Sequence, residues 1–453
     1  MRAALVVVLA TLVAASPSVA QISTEGPPKS IIIPNYDLVR LGQLEAIESG
    51  AVIAQVSGAL ANVYNPAGLA SAPKTVVNAS STGYQYTRLG LSGFGDREVT
   101  SSRFTNLGGF LGVVLADPVI KSPKWRLGFS VYSPISWEPG TLSGSETALV
   151  STAQRQVDYR TNVRLRVQIP SLGAGYAVSP KFRVGASFQV PIVDILQQQS
   201  VTSLAYDVTE AAQFVRDYAG DGSTWTVRGV LGLQWDVGSA ITLGLNLATP
   251  TARLWGHSFY QDNSTAAFSA GFSAITFRDP KAHFEYKLPL TVSGGVAVKV
   301  GKVRFEGDVR WYNSIDQWNL YSSDSIGTAV AQDGNDPVVT QTVSLAPVTL
   351  TYRSVVNFSI GARIPLSNTL QLHAGFNSDQ SPLPGTNEIF RKVNMIGATA
   401  GLSLTKSKLS GSLGVGFQHG TSPETQLGIP PFIRETTISV TTFQLLYSIS
   451  YAF

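Results

Sequence analysis
The side chains best equipped for chemistry are few and scattered. The four histidines, His257, His283, His373 and His419, include no pair at metal-ligand spacing, and cysteine is absent, which removes thiolate zinc sites and cysteine nucleophiles. The stretch from Gly295 to Lys302 is glycine-rich and ends in a lysine. Its glycine spacing is wrong for a phosphate loop, and Val303 stands where a Ser or Thr would be needed. A hydrolase would require a serine brought to His373, a geometry that the sequence does not display. No metal, no cofactor and no enzymatic activity are expected.

One charged constellation is informative. Arg304, Glu306, Asp308 and Arg310 alternate with Val303, Phe305, Val309 and Trp311. Alternate strand residues point to opposite faces, and four charges cannot line a dry core without a large desolvation cost. The charged face is therefore expected to meet water as a lumen wall that pairs internally, joined by Arg164, Arg166, Arg353 and Arg363 on matching faces. The opposite face must meet something apolar.

The elements that would carry such faces are strands. Period-two alternation recurs through the chain, most clearly at its end, where Phe443, Leu445, Tyr447, Ile449, Tyr451 and Phe453 share one face, with Leu446 the exception on the other. Charged residues make up 14% of the chain, about half the usual share for a soluble protein, so much of the surface is expected to face lipid. After the first residues, no apolar run is long enough to span a membrane as a helix. The pattern predicts an all-β fold, a transmembrane antiparallel barrel of about fourteen strands, with an even count as bacterial single-chain barrels require. Short turns such as Ser179-Pro180 and Gly301-Lys302 alternate with long stretches such as 196–223 and 319–346, which reads as a periplasmic rim of turns and an extracellular rim of loops. Formal charge is only +4, with no basic tract to grip phosphates, so nucleic acid is not an expected partner.

Three domains follow. Residues 1–20 read as a signal peptide, with Arg2, an apolar run and a Ser18-Val19-Ala20 end. Residues 21–73 do not alternate and are expected to form a partly helical plug, and residues 74–453 form the barrel. The plug ends in Asn65-Pro66-Ala67, where Asn65 can cap the turn that Pro66 initiates. In the third strand Pro134 removes a ladder donor, so a bulge or inward kink is expected there. Asp207, Val208, Phe214, Val215 and Tyr218 have the spacing of a capped amphipathic helix in an extracellular loop.

On these residues the chain resembles the FadL family of outer-membrane channels for long-chain fatty acids and other hydrophobic compounds. Asn65-Pro66-Ala67 resembles the family's plug signature. The stretches 288–297, 305–312 and 373–384 are similar to its central strands and to its aromatic-Asp-x-Ser-Pro strand end, and Phe453 resembles its terminal assembly signal. The resemblance implies fourteen strands, location in the bacterial outer membrane and passive uptake of a hydrophobic small molecule such as a fatty acid or hydrocarbon. It further implies capture at Phe214, Val215 and Tyr218, and lateral exit beside Ser133, Pro134 and Ser136. Membrane lipid and the barrel assembly machinery are the other implied partners. The alternative is a barrel of the same type that binds or assists secretion and transports nothing.

Overall fold
The computed structural model describes residues 22–23, 32–92, 99–116, 119–150, 153–206, 211–269, 271–385, 390–423, 425–427 and 434–453. The expected signal peptide lies outside these residues. Fourteen antiparallel crossings close into a barrel. They are β1 (Val76–Ser92), β2 (Val99–Leu115), β3 (Trp125–Val150), β4 (Ala153–Ala177), β5 (Phe182–Gln189 continued by Ile192–Tyr206), β6 (Ala211–Asp236) and β7 (Ile241–Ala248 continued by Ala252–Phe268). The second half holds β8 (Gly271–Phe284, Thr291–Val300), β9 (Val303–Tyr312, Ile315–Ser322, Ile326–Asp333), β10 (Val339–Ser344, Val348–Tyr352, Val355–Pro365), β11 (Leu370–Asp379), β12 (Asn394–Lys406), β13 (Leu409–Thr421) and β14 (Arg434–Ala452). Pairing of β1 with β14, from Val76 opposite Ala452 to Ser92 opposite Thr437, closes the sheet on itself. Closure removes the unpaired edges that an open sheet would present to lipid. No helix among the described residues is long and apolar enough to cross a membrane.

The apolar face of β14 points outward as expected, with Phe443, Leu445, Tyr447, Ile449 and Tyr451 all exposed. Leu446 points inward and packs on Ala46 and Ile47 of the plug, which accounts for the one break in the alternation. On β6 the outward residues Trp225, Val227, Leu231, Leu233 and Trp235 form a belt with a tryptophan at each end. Ten residues at about 3.4 Å each, tilted by about 40°, span roughly 26 Å, close to the apolar band of an outer-membrane barrel.

Beyond that belt the faces exchange character. On β4, Leu172, Ala174 and Tyr176 point outward in the lower section, but Arg160, Arg164, Arg166 and Gln168 occupy the same face above. There Val163, Leu165, Val167 and Ile169 point inward and are fully buried. This is the order of a soluble β-structure, so the barrel continues past the membrane with a wet outside and an apolar inside. Arg164 and Arg166 are thus not lumen residues, contrary to expectation. Arg166 is 45% exposed and pairs with Glu138 at 2.5 Å.

The stretches 196–223 and 319–346 are not long loops either. Strands fill most of both, and the amphipathic pattern around Phe214, Val215 and Tyr218 lies in β6, paired with β5 and β7 rather than coiled into a helix. Asp207 and Val208 lie outside the described residues.

Candidate functional site
The segment from residue 32 to residue 73 fills the lower lumen. It holds two single-turn helices, α1 (Leu44–Ile47) and α2 (Ala61–Tyr64), and 3-10 turns at Gly58–Leu60 and Pro66–Ser71. Helices this short have little stability of their own. The barrel wall supplies the missing partners.

Three of the four alternating charges expected to face water do not. Glu306, Asp308 and Arg310 are buried against the plug. Asp308 Oδ2 accepts from the Val52 and Ile53 amides at 2.7 and 3.1 Å, and Glu306 Oε1 accepts from Ala54 N at 2.6 Å. The Arg310 guanidinium donates to the Gly50 carbonyl. The sequence argument assumed that water was the only polar medium inside. Here unpaired backbone groups of the plug take its place, satisfying the charges and being satisfied by them. Of the other expected wall residues, Arg353 donates to the Ser381 carbonyl and Arg363 holds the plug.

Arg363 meets Glu48 of the plug through two bonds of 2.8 and 3.1 Å. His373 Nδ1 lies 2.6 Å from the same carboxylate, and its Nε2 lies 2.8 Å from Ser403 Oγ. Burial pushes the Glu48 carboxyl up, but Arg363 and His373 outweigh burial, and it sits below the ordinary carboxylate range. Ser403, His373 and Glu48 thus have the connectivity of a hydrolase triad. All three are buried in the seam between plug and wall, and none lines the lumen cavity described below, so the arrangement is an anchor. Sequence reasoning missed Glu48, and nothing local to it could have supplied the signal.

Asn65 is the pivot of the plug's end. Its Oδ1 accepts from Ala67 N at 3.1 Å, capping the turn at Pro66, while its Nδ2 donates to the carbonyls of Ile53 and Leu233 at 2.9 Å each. Asn65, Pro66 and Ala67 are all buried. The wall accommodates this contact by lacking side chains there. A Cβ on Gly232 would stand 2.0 Å from Asn65 Oδ1, and one on Gly185 would stand 2.3 Å from Pro66 C. Inward glycines in the alternating strands were the readable signal for this docking surface.

Above the plug is a cavity of about 130 Å³. Its walls include Tyr36, Val39 and Leu41 of the plug and Tyr132, Pro134 and Ile135 of β3, with Asp37, Arg228 and Arg310 as charged members. The wall beside it is interrupted. β2 and β3 pair from Leu115 opposite Leu127 up to Phe110 opposite Tyr132, and no ladder between them continues beyond that point among the described residues. On the other side of β3, pairing with β4 skips from Tyr132 to Ile135, the expected bulge. The Pro134 carbonyl accepts from Val39 N of the plug at 3.2 Å. Pro191 interrupts β5 without such an effect, because Thr226 N donates to its carbonyl at 2.9 Å and both ladders of β5 resume at once. Above the break, Arg103 of β2 reaches Glu138 of β3 at 2.9 Å. Ser133 is half-buried and Ser136 buried beside Pro134.

Higher still, Tyr218 packs edge-on against Tyr260, which also meets Phe277 and Tyr321. Strand alternation places Phe214 on the same face as Tyr218 and sends Val215 to the other, so the three residues do not share one surface.

A transmembrane barrel of fourteen strands, plugged from its N-terminal side and holding an apolar cavity above the plug, is the class that this fold and site define. No family model and no curated protein matches the chain. Among solved structures it is similar to the Pseudomonas putida toluene transporter TodX, with 16% identity, a TM-score of 0.59, and coverage of 92% of this chain and 99% of that one. It is similar also to a Pseudomonas aeruginosa FadL homologue, at 10% identity and TM-score 0.58, and to the Ralstonia pickettii toluene transporter TbuX, at 13% and 0.56. Each of these alignments covers 92% of this chain and 100% of the other. The chain has the fold of FadL-type barrels.

Proposed function
We propose that the protein is a channel in the bacterial outer membrane for passive uptake of small hydrophobic molecules. The observation that carries this reading is the apolar cavity placed beside the interrupted β2–β3 wall at Pro134. An apolar solute crosses neither a water-filled pore nor the outer leaflet well, so a useful route must offer an apolar resting place and an exit into lipid. The apolar interior above the membrane belt provides entry, and the aromatic group around Tyr218 and Tyr260 lies on that path. The plug blocks the straight way down, and the break beside Ser133, Pro134 and Ser136 is the sideways way out. The solved toluene transporters of the same fold support a hydrophobic cargo.

The cavity also bears on cargo size. An apolar cavity of about 150 Å³ holds a benzene ring. At about 130 Å³ and open to the lumen, this cavity is close in size to one that holds a single ring. The test is uptake of radiolabelled toluene and of oleate by bacterial cells with an intact outer leaflet, with and without the protein at their surface. Faster entry of toluene into cells that carry the protein supports the reading. Equal rates for both solutes with and without the protein, at confirmed surface expression, would refute it and leave a binding or assembly role.

A further inference from the structure
At the short-turn rim of the barrel lies a second concavity, of about 370 Å³, lined by Lys299, Lys302, Arg304, Arg363 and Gln371 and by no acidic residue. Three of its cations come from a single row across three strands, and Lys302 sits in the turn between β8 and β9. Lys299 of β8 stands opposite Arg304 of β9, and Arg304 opposite Arg363 of β10. The parity of Glu306 and Asp308 places Arg304 on the inner face, so the row points into the lumen mouth. Like charges directly opposite on neighbouring strands destabilise a sheet, and three cations in one row concentrate that repulsion.

The nearby carboxylates relieve it only at Arg363. Glu48 pairs with Arg363 and lies against His373 but pairs with neither lysine nor Arg304, Glu306 is turned to Ala54 N, and Glu45 Oε2 accepts from Gln43 N at 3.0 Å. Among the described residues, Lys299, Lys302 and Arg304 form no ion pair. A converging set of cations around an open space, with its only counter-charge on one member, is the electrostatic form of an anion site.

We propose that the mouth binds an oxyanion, a phosphate or carboxylate group held between Lys299, Lys302, Arg304 and Arg363. Arg363 is shared. An anion drawing its guanidinium away from Glu48 weakens one of the plug's side-chain anchors, so occupancy of the mouth and docking of the plug oppose each other.

Calorimetry on the full-length protein in detergent at low ionic strength, with inorganic phosphate as the probe and chloride at matched ionic strength as the reference, tests this. Saturable phosphate binding is expected, displaced by acetate, and weakened roughly ten-fold or more in the Lys299→Gln, Arg304→Gln double variant. These two side chains are exposed and outside the plug contacts, so the barrel of that variant should keep its gel mobility before boiling. Glu48→Gln frees Arg363 and should tighten phosphate several-fold. In nanodiscs, retention of phosphate binding with phosphatidylglycerol present identifies a soluble anion, whereas its displacement identifies a lipid headgroup in the same site. Absence of saturable binding, or equal affinity in the double variant, overturns the proposal. Unchanged affinity in Glu48→Gln overturns the coupling to the plug.

Discussion
Asp308 is the sharpest test of how the plug is held. One carboxylate oxygen accepts two plug amides, at 2.7 and 3.1 Å, inside a seam that water does not reach. Asp308→Ala removes both bonds and strands the Val52 and Ile53 N–H groups. A buried group left without its charged partner costs on the order of 3 kcal/mol. That cost falls on docking rather than on the barrel, because the wall's own ladders do not involve the side chain. It corresponds to a rise of about 150-fold in the undocked fraction. Asp308→Asn keeps one neutral acceptor and should cost about half as much. Hydrogen exchange read by mass spectrometry on the peptide holding Val52 to Ala54 should accelerate in the order wild type, Asp308→Asn, Asp308→Ala. Planar-bilayer leak should rise in the same order. Identical exchange in all three proteins, with unheated barrels migrating normally, would refute the claim that wall charges hold the plug.

Other expectations follow from the same geometry. Gly232→Ala should loosen the plug, because its Cβ would press on Asn65, while Gly307→Ala, whose Cβ meets nothing within 4 Å, should not; exchange at residues 65–71 compares them. Overpacking of this kind costs about 1–3 kcal/mol. Glu48 has a lowered carboxyl pKa when docked, so its contribution is present above the undocked value and is lost as pH falls through the docked value. Leak should therefore increase as pH falls below the ordinary glutamate range, and Glu48→Gln should flatten that component of the profile. Trp at Ser133 or Ser136 should slow toluene uptake without reducing toluene bound in detergent; equal uptake at equal protein would count against exit beside Pro134. Replacing Asn65-Pro66-Ala67 by Gly-Ser-Gly should raise leak and leave a barrel that still migrates faster before boiling.

The strand count and the outward belt were legible because they rest on period-two alternation, a property of each strand by itself. The errors have distinct physical sources. Outside the membrane the outward face is polar, as at Arg164 and Arg166, so the rule that charges face the lumen reverses with height along a single strand. In 196–200 the run Leu-Gln-Gln-Gln-Ser offers little contrast between faces, and strand formation there depends on partners such as Asn162, opposite Gln198. Around Tyr218 the apolar spacing suits a helix as well, and pairing with Asp262 of β7 decides the matter. The anchors were hidden for a different reason: Asp308 and Val52 lie 256 positions apart, and Glu48 and Arg363 lie 315 apart. Alternation says which way a wall side chain points but not what it meets.

The distribution of polarity inside the barrel bears on how the proposed channel would be both closed and passable. Where the plug sits, the wall offers charges and glycines, which bind backbone closely and only in register. Where the cavity begins, it offers Tyr132, Ile135, Ile169 and Leu288, which hold an apolar solute without directional bonds. A polar seam below resists slippage of the plug, since any small displacement leaves buried N–H groups and carboxylates unpaired. The chamber above is lined mainly by apolar and aromatic side chains, with Asp37, Arg228 and Arg310 among them, and most of its contacts have no fixed direction, so a solute can turn and move sideways within it. Val39 joins the two regions, packing into the cavity wall while its amide bonds to the Pro134 carbonyl. A solute displacing Val39 would free that carbonyl at the point where the β2–β3 ladder has already stopped. The plug can therefore remain anchored through Asp308 and Glu48 while the wall at Pro134 yields. The two should separate experimentally: toluene should accelerate exchange at the Val39 amide and leave Val52 and Ile53 protected. Acceleration at all three amides would instead mean that the plug moves as one body.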